Sequence, residues 1–203
     1  MIWPILVQPL KQKEVTKFMK KIIFGFVGKL ASGKTKSCNY LVENYQAQTF
    51  AFSGPLRDVL KRLYLPDTRD NLQKTSQALR EFLGQDVLAK VLAEDAKNSS
   101  AKIVVIDGVR RPKDIEYLKL LDNFFLINVE ADQQLRYERI IKRGQNSGET
   151  ELTFEQFKKD ESAEAESLID EVADQAKFNV TNNGTEAELL QKIDNVLIKI
   201  NTD

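Results

Sequence analysis

Gly28-Lys29-Leu30-Ala31-Ser32-Gly33-Lys34-Thr35 sets the frame for this 203-residue chain. The stretch fits G-x-x-x-x-G-K-[ST] at every fixed position. An almost continuous apolar run, Ile22 to Val27, leads into it, and Thr35 to Tyr45 reads as a helix leading out. Consecutive apolar residues without alternation predict a strand buried on both faces, as in a parallel sheet. A glycine-bearing loop between such a strand and a helix turns successive backbone N–H groups inward, where they cradle an anion. The helix N-terminus adds a favourable field. Gly28, Ala31, Ser32, Gly33, Lys34, Thr35 and Lys36 are the expected cofactor-binding positions, with Lys34 set against phosphates and Thr35 offering a hydroxyl to Mg²⁺. The turn lacks G-x-G-x-x-G, which argues against a dinucleotide oxidoreductase.

Downstream, strands and helices alternate. Thr49 to Phe52 reads as a short strand, Ile103 to Asp107 as the clearest one, Phe124 to Val129 as another and Phe178 to Thr181 as the last. Between them, Ser53-Gly54-Pro55 opens a helix, a second helical stretch covers Leu72 to Ala96, and Pro112 begins one through Leu121. Asp132 is a suitable N-cap for a helix through Lys142, Thr153 begins an acidic helical region to about Asp174, and Leu189 to Ile200 closes the chain. This order predicts an α/β doubly wound parallel sheet. Asp160, Glu161, Glu164 and Glu166 read as a solvated helix face.

Asp107 ends its strand, at the edge where open α/β sheets bind ligands, and is the expected second holder of Mg²⁺. Arg110 and Arg111 follow at once; guanidinium groups suit phosphate because they bind it bidentately and stay charged. Arg110 is the favoured of the two, Arg111 being open to a salt-bridge role. Arg136, Arg139 and Arg143 share one helix face ahead of a polar, glycine-bearing loop. That pattern fits a closing lid that brings positive charge to a transferring group, with Arg139 and Arg143 the catalytic candidates beside Lys34, Asp107 and Arg110. Surface pairing with Glu138 and Asp132 is the plainer alternative. Arg57 and Arg80 fall between the second and third strands, where either could grip an acceptor. Cys38 reads as a small buried thiol.

Composition narrows the classes. Thirty Lys and Arg balance thirty Asp and Glu, so nothing pulls the chain generally toward nucleic acid or an anionic membrane. There is no histidine, which excludes His-ligated zinc and His acid–base catalysis; one cysteine excludes an intrachain disulfide and fits a reducing cytoplasm. Residues 1–20 are expected to be an N-terminal extension, with Met19 a second starting point, and 21–203 a single domain.

On Gly28 to Thr35, Phe52 to Arg57, Leu79 to Gly84, Val105 to Arg110, Arg136 to Arg139 with Arg143-Gly144, Thr153 to Phe157 and Asn182 to Thr185, the chain resembles the nucleoside-monophosphate-kinase superfamily. Dephospho-CoA-kinase-like, adenylate-kinase-related and deoxynucleoside monophosphate kinases are the nearest in pattern. The resemblance implies a five-stranded parallel sheet, an acceptor-binding helical insertion near 55–98 and a lid near 143–160. It further implies ATP and Mg²⁺ as cofactors, a nucleotide-type acceptor held by Arg57, Arg80 and Arg110, and the Asn182 to Thr185 loop near the adenine, with Asn183 its cofactor-binding residue. Neither nucleic acid nor membrane is an expected partner, and the expected state is a monomer or homodimer. A regulatory nucleotide-binding switch without a small acceptor is the competing reading. A nucleic-acid-remodelling ATPase fits poorly, because the chain is neutral and too short for a second motor domain.

Overall fold

The six residues of β1 (Ile22–Val27) are all buried, and their alternation builds both faces of the sheet. Ile22, Phe24 and Phe26 face one layer; Ile23 and Val27 face the other. The computed structural model describes residues 20–144, 149–161 and 164–202. Residues 1–19 of the expected extension and 145–148 of the expected lid lie outside the described residues, as do Ser162 and Ala163 of the acidic stretch.

Five strands run parallel in the order β2-β3-β1-β4-β5, with β2 Gln48–Ala51, β3 Ile103–Asp107, β4 Phe124–Glu130 and β5 Phe178–Thr181. The expected parallel α/β sheet is thus the observed one. In register, Gly25 lies opposite Ile106, Val27 opposite Asn128 and Ala51 opposite Asp107. All the C-terminal ends therefore share one edge, and the order reverses around β1, which places a ligand crevice just beyond Val27.

Helices cover both faces. On one, α1 (Lys34–Tyr45) and the last helix, α9 (Glu186–Thr202), pack Cys38, Leu41, Leu189 and Ile193 against Phe24 and Phe26. Truncating a fully buried Phe such as Phe24 to Ala costs about 3–5 kcal/mol in cores of this kind. Three helices lie between β2 and β3: α2 (Gly54–Arg62), α3 (Arg69–Leu83) and α4 (Val87–Asn98). The second of these was expected to run on from Leu72 to Ala96. It stops instead at Gly84-Gln85, and Asp86 stands at the N-cap of the next. Leu88 and Leu92 of α4 join the second core layer, with Ile115 of α5 (Pro112–Ile115) and Ile169 and Val172 of α8 (Glu164–Ala173). The helix expected from Pro112 through Leu121 is only this single turn, followed by a 3₁₀ turn at Leu118–Leu120. After β4 come α6 (Gln133–Arg143) and α7 (Phe154–Glu161), and the acidic region from Thr153 is helical in its described parts, α7 and α8.

Candidate nucleotide and acceptor site

The loop from Gly28 to Gly33 wraps over the C-terminal end of β1. Gly28 has φ +143°, and a Cβ there would lie 2.1 Å from the Val129 carbonyl oxygen. Only glycine lets the loop leave the strand so close to β4. Ala31 is left-handed at φ 59°, and Lys34 then begins α1. The Lys34 ammonium donates to the carbonyls of Gly28 and Lys29 at 2.5 and 2.8 Å, curling back over the loop. Thr35 follows on the first helical turn, exposed, while Lys36 points away and pairs with Glu186 at 2.9 Å. Ser32 is buried, and its hydroxyl has no hydrogen-bond partner among the described residues. A cradle that a Cβ would fill, a helix N-terminus, an ammonium and a hydroxyl together fit a Mg²⁺-bound nucleotide triphosphate.

The β5–α9 turn braces this loop. Buried Asn182 donates from Nδ2 to the Ser32 carbonyl at 2.8 Å, and its amide sits directly over Gly33. Asn182 opens the loop expected near the adenine but was not itself singled out as a site residue. Its neighbour Asn183, which was, is exposed and accepts from the Asp132 backbone N–H at 2.9 Å. Only the partner 150 residues away distinguishes the two asparagines, and no local pattern carries that.

The arginines of α6 reach three separate places. Arg136 is buried: Nε donates to the Ala131 carbonyl at 2.9 Å, Nη2 donates to Glu161 Oε2 at 3.0 Å, and Nη1 pairs with Glu161 Oε1. Glu161 is thus not on a solvated face as expected; its side chain is 8% exposed. Burial works to raise its carboxyl, but the hydrogen bonds from Arg136 and Gln133 outweigh it and hold the group below its ordinary value. Arg139 donates through Nη2 to the Asn182 carbonyl at 2.9 Å, while its buried Nη1 has no hydrogen-bond partner among the described residues. Arg143 donates to Glu149 at 2.6 Å. The pairing with Glu138 and Asp132 that sequence spacing allowed is not what forms. Cys38 is buried beneath the loop helix, and burial above all pushes its thiol up, in keeping with an inert packing residue.

Beyond β3 the chain opens a cleft. Asp107 stands at its inner end, in a cavity of about 320 Å³ with Ser53, Leu56, Arg80 and Arg110. This joins a wider cavity of about 960 Å³ between α3 and the β3–α5 loop, and Ser53, Leu56, Ser76, Arg80, Arg110 and Arg111 border both. From α3 the wider part receives Arg69, Gln73, Ser76 and Gln77. These four fall at i, i+4, i+7 and i+8 of one helix face, a polar stripe readable in the sequence but missed there. Among the described residues no ion pair engages Arg69, Arg110 or Arg111, and Glu81 is the single carboxylate bordering the wider cavity. The two parts of the cleft together gather four arginines, Arg69, Arg80, Arg110 and Arg111, against three carboxylates, Glu81, Asp107 and Asp114.

Arg80 and Arg57 differ from this. Arg80 borders the cleft but is 8% exposed, and its Nη2 donates to Asp114 Oδ1 at 3.0 Å. Arg57 pairs with Asp67 on the exposed side of α2 and does not border either cavity. No group of three or more His, Cys, Asp or Glu among the described residues could hold a metal ion by itself. No helix among them is long and apolar enough to cross a membrane.

The chain matches the profile of a family described as AAA domain over residues 25–191. A UPF0200 protein of Sulfurisphaera tokodaii is 32% identical over 147 residues, covering 71% of this chain and 81% of that protein. Among solved structures, shikimate kinase from Acinetobacter baumannii superposes with a TM-score of 0.53 at 15% identity, covering 91% of this chain and 97% of that one. A gluconokinase from Sinorhizobium meliloti superposes with a TM-score of 0.53 at 13% identity, covering 91% and 96%. At such identities the likeness speaks for the P-loop kinase-like fold alone.

Proposed function

We propose that this chain, which belongs to the AAA-domain family and to the UPF0200 family, is a Mg²⁺-ATP-dependent phosphotransferase with an anionic, nucleotide-type acceptor. The observation that carries the reading is the arginine-lined cleft ending at Asp107, one strand away from the P-loop. A regulatory switch needs the P-loop and Mg²⁺ site but not a second, cationic cavity beside them.

The residues divide the work. Gly28 to Thr35 supply the backbone cradle, Lys34 the cation and Thr35 with Asp107 the oxygens for the metal. Bound ATP supplies the transferable phosphoryl group. Arg110, Arg111 and Arg69 hold an anionic acceptor, and Arg139 contributes charge from α6. Phosphoryl transfer asks little covalent help of the protein, so positioning and electrostatics carry most of the rate. The wider cavity lies at the upper end of the ~300–1,000 Å³ range of small-molecule sites, which favours an acceptor of nucleotide size over a single small ring.

The test is incubation with Mg-ATP and an acceptor panel: each ribo- and deoxynucleoside monophosphate, dephospho-CoA, shikimate, gluconate and no acceptor. Products are read by mass. A new phosphorylated nucleotide-type product, lowered about 10²-fold or more by Lys34→Ala, supports the proposal. ADP formation indifferent to every acceptor would replace it with a regulatory ATPase.

A further inference from the structure

Asp114 is a buried carboxylate, 2% exposed, whose two oxygens do different work. Oδ2 accepts from the backbone N–H groups of Arg110 and Arg111, both at 3.1 Å. Oδ1 accepts from Arg80 Nη2 at 3.0 Å. Arg80 is itself tethered, donating from Nη1 to the Gln85 carbonyl at 2.6 Å at the end of α3. Its guanidinium is thus committed inward, although the residue borders the cleft.

We infer that Arg80 and Asp114 are positioning residues: together they fix the Arg110–Arg111 backbone so that the two guanidinium groups form a preformed phosphate subsite facing α3. The inference rests on the proposed function in taking this cleft as the acceptor's. A buried carboxylate needs a compensating cation, and Arg80 is the one within reach. With that charge in place, Asp114 can hold two neighbouring amides of a loop whose side chains border the cleft. Without it, the carboxylate is left buried with no compensating charge, the loop loosens, and the guanidinium groups lose a common origin. Rigid support of this kind strengthens anion binding by lowering its ordering cost. The same strut joins the acceptor-facing helix α3 to the loop after Asp107, so the two walls of the cleft are set relative to each other by one ion pair.

The experiment holds the P-loop filled with saturating Mg-ADP and titrates inorganic phosphate, following the backbone amide resonances of Arg110 and Arg111. In the wild type these resonances should move with phosphate, and the two amides should exchange their hydrogens slowly for exposed positions. In Arg80→Met/Asp114→Asn, which leaves no lone buried charge, phosphate affinity at these resonances should fall about tenfold or more, the scale of a lost charge-assisted contact. ADP affinity should not change. Unchanged phosphate affinity, or an equal loss for ADP, would overturn the inference. So would fast exchange of the two amides or no phosphate response in the wild type, neither of which needs a variant. Failure of the proposed function reads out elsewhere, as absence of any acceptor product from the wild-type enzyme.

Discussion

Arg136 and Glu161 face each other with two nitrogens against two oxygens, buried between α6 and α7, and each is at most 8% exposed at its side chain. The same guanidinium lies 5.7 Å from the Phe157 ring, so the pair sits in a partly aromatic setting. Removing one partner strands the other charge away from water. Glu161→Ala should therefore lose about 3–5 kcal/mol in chemical denaturation. The folded carboxyl lies below its ordinary value of 4.5. Its contribution is therefore complete above that value and is lost as pH falls through the lower, folded one. Wild-type stability should drop in that acid window, and Glu161→Gln should flatten the drop. Equal acid slopes in the two proteins would show that the pair does not contribute.

Gly28 tests the loop rather than the lid side. An alanine there meets a backbone oxygen 2.1 Å away and must hold φ +143°, so relief requires moving β4 or the loop itself. Gly28→Ala should lose at least about 1–3 kcal/mol of stability and most ATP affinity. Thermal unfolding with and without Mg-ATP reads both: the variant should unfold earlier and gain little from nucleotide. A variant stabilised by Mg-ATP as much as the wild type would contradict the cradle.

Across the other face, Asp194 of α9 accepts from Tyr40 at 2.8 Å and Tyr45 at 2.7 Å, tying the last helix to the one that follows the P-loop. Hydrogen bonds to a charged partner contribute about 1.5–3 kcal/mol, so Tyr45→Phe should lose that order of stability. Burial first, then the Asp194 carboxylate, pushes Tyr40 from 10.0 up to about 12. The unfolded phenol ionises near its ordinary value while the folded one keeps its proton, so stability should fall between pH 10 and about 12. Alkaline denaturation of Tyr40→Phe should lack much of that fall, and an unchanged profile would remove the phenol from the account.

These residues mark how far sequence reasoning reaches. The P-loop and the three central strands were legible because their signals are local: a fixed glycine spacing, and apolar runs of four to six residues between turns. The place of Asp107 at the end of β3 followed from its being the residue that closes such a run. Glu161 was misread because nothing near it distinguishes a solvated acid from one whose partner is 25 residues away. Arg80 and Arg57 looked alike for the same reason. One turns inward to Asp114, 34 residues on, and the other outward to Asp67. The polar face of α3 was visible as Arg69, Gln73, Ser76 and Gln77, but a polar helix face is ordinarily solvent. Only its placement opposite Arg110 makes it a wall.

That placement separates Arg110 from Arg57 in a way kinetics can read. Arg110 borders both parts of the cleft and has no ion pair among the described residues, so its charge is available to an anionic acceptor. Arg57 borders neither and is engaged by Asp67 on an exposed surface, where such pairs contribute little. With whichever acceptor the panel identifies, Arg110→Ala should raise its KM about 10–100-fold, the scale of a charged hydrogen bond, while the KM for ATP stays near wild type. Arg57→Ala should leave both within about twofold, as expected for a surface position. Should Arg57→Ala impair acceptor use as much as Arg110→Ala, the acceptor would have to sit against α2, and the cleft between α3 and the β3–α5 loop would lose its assignment.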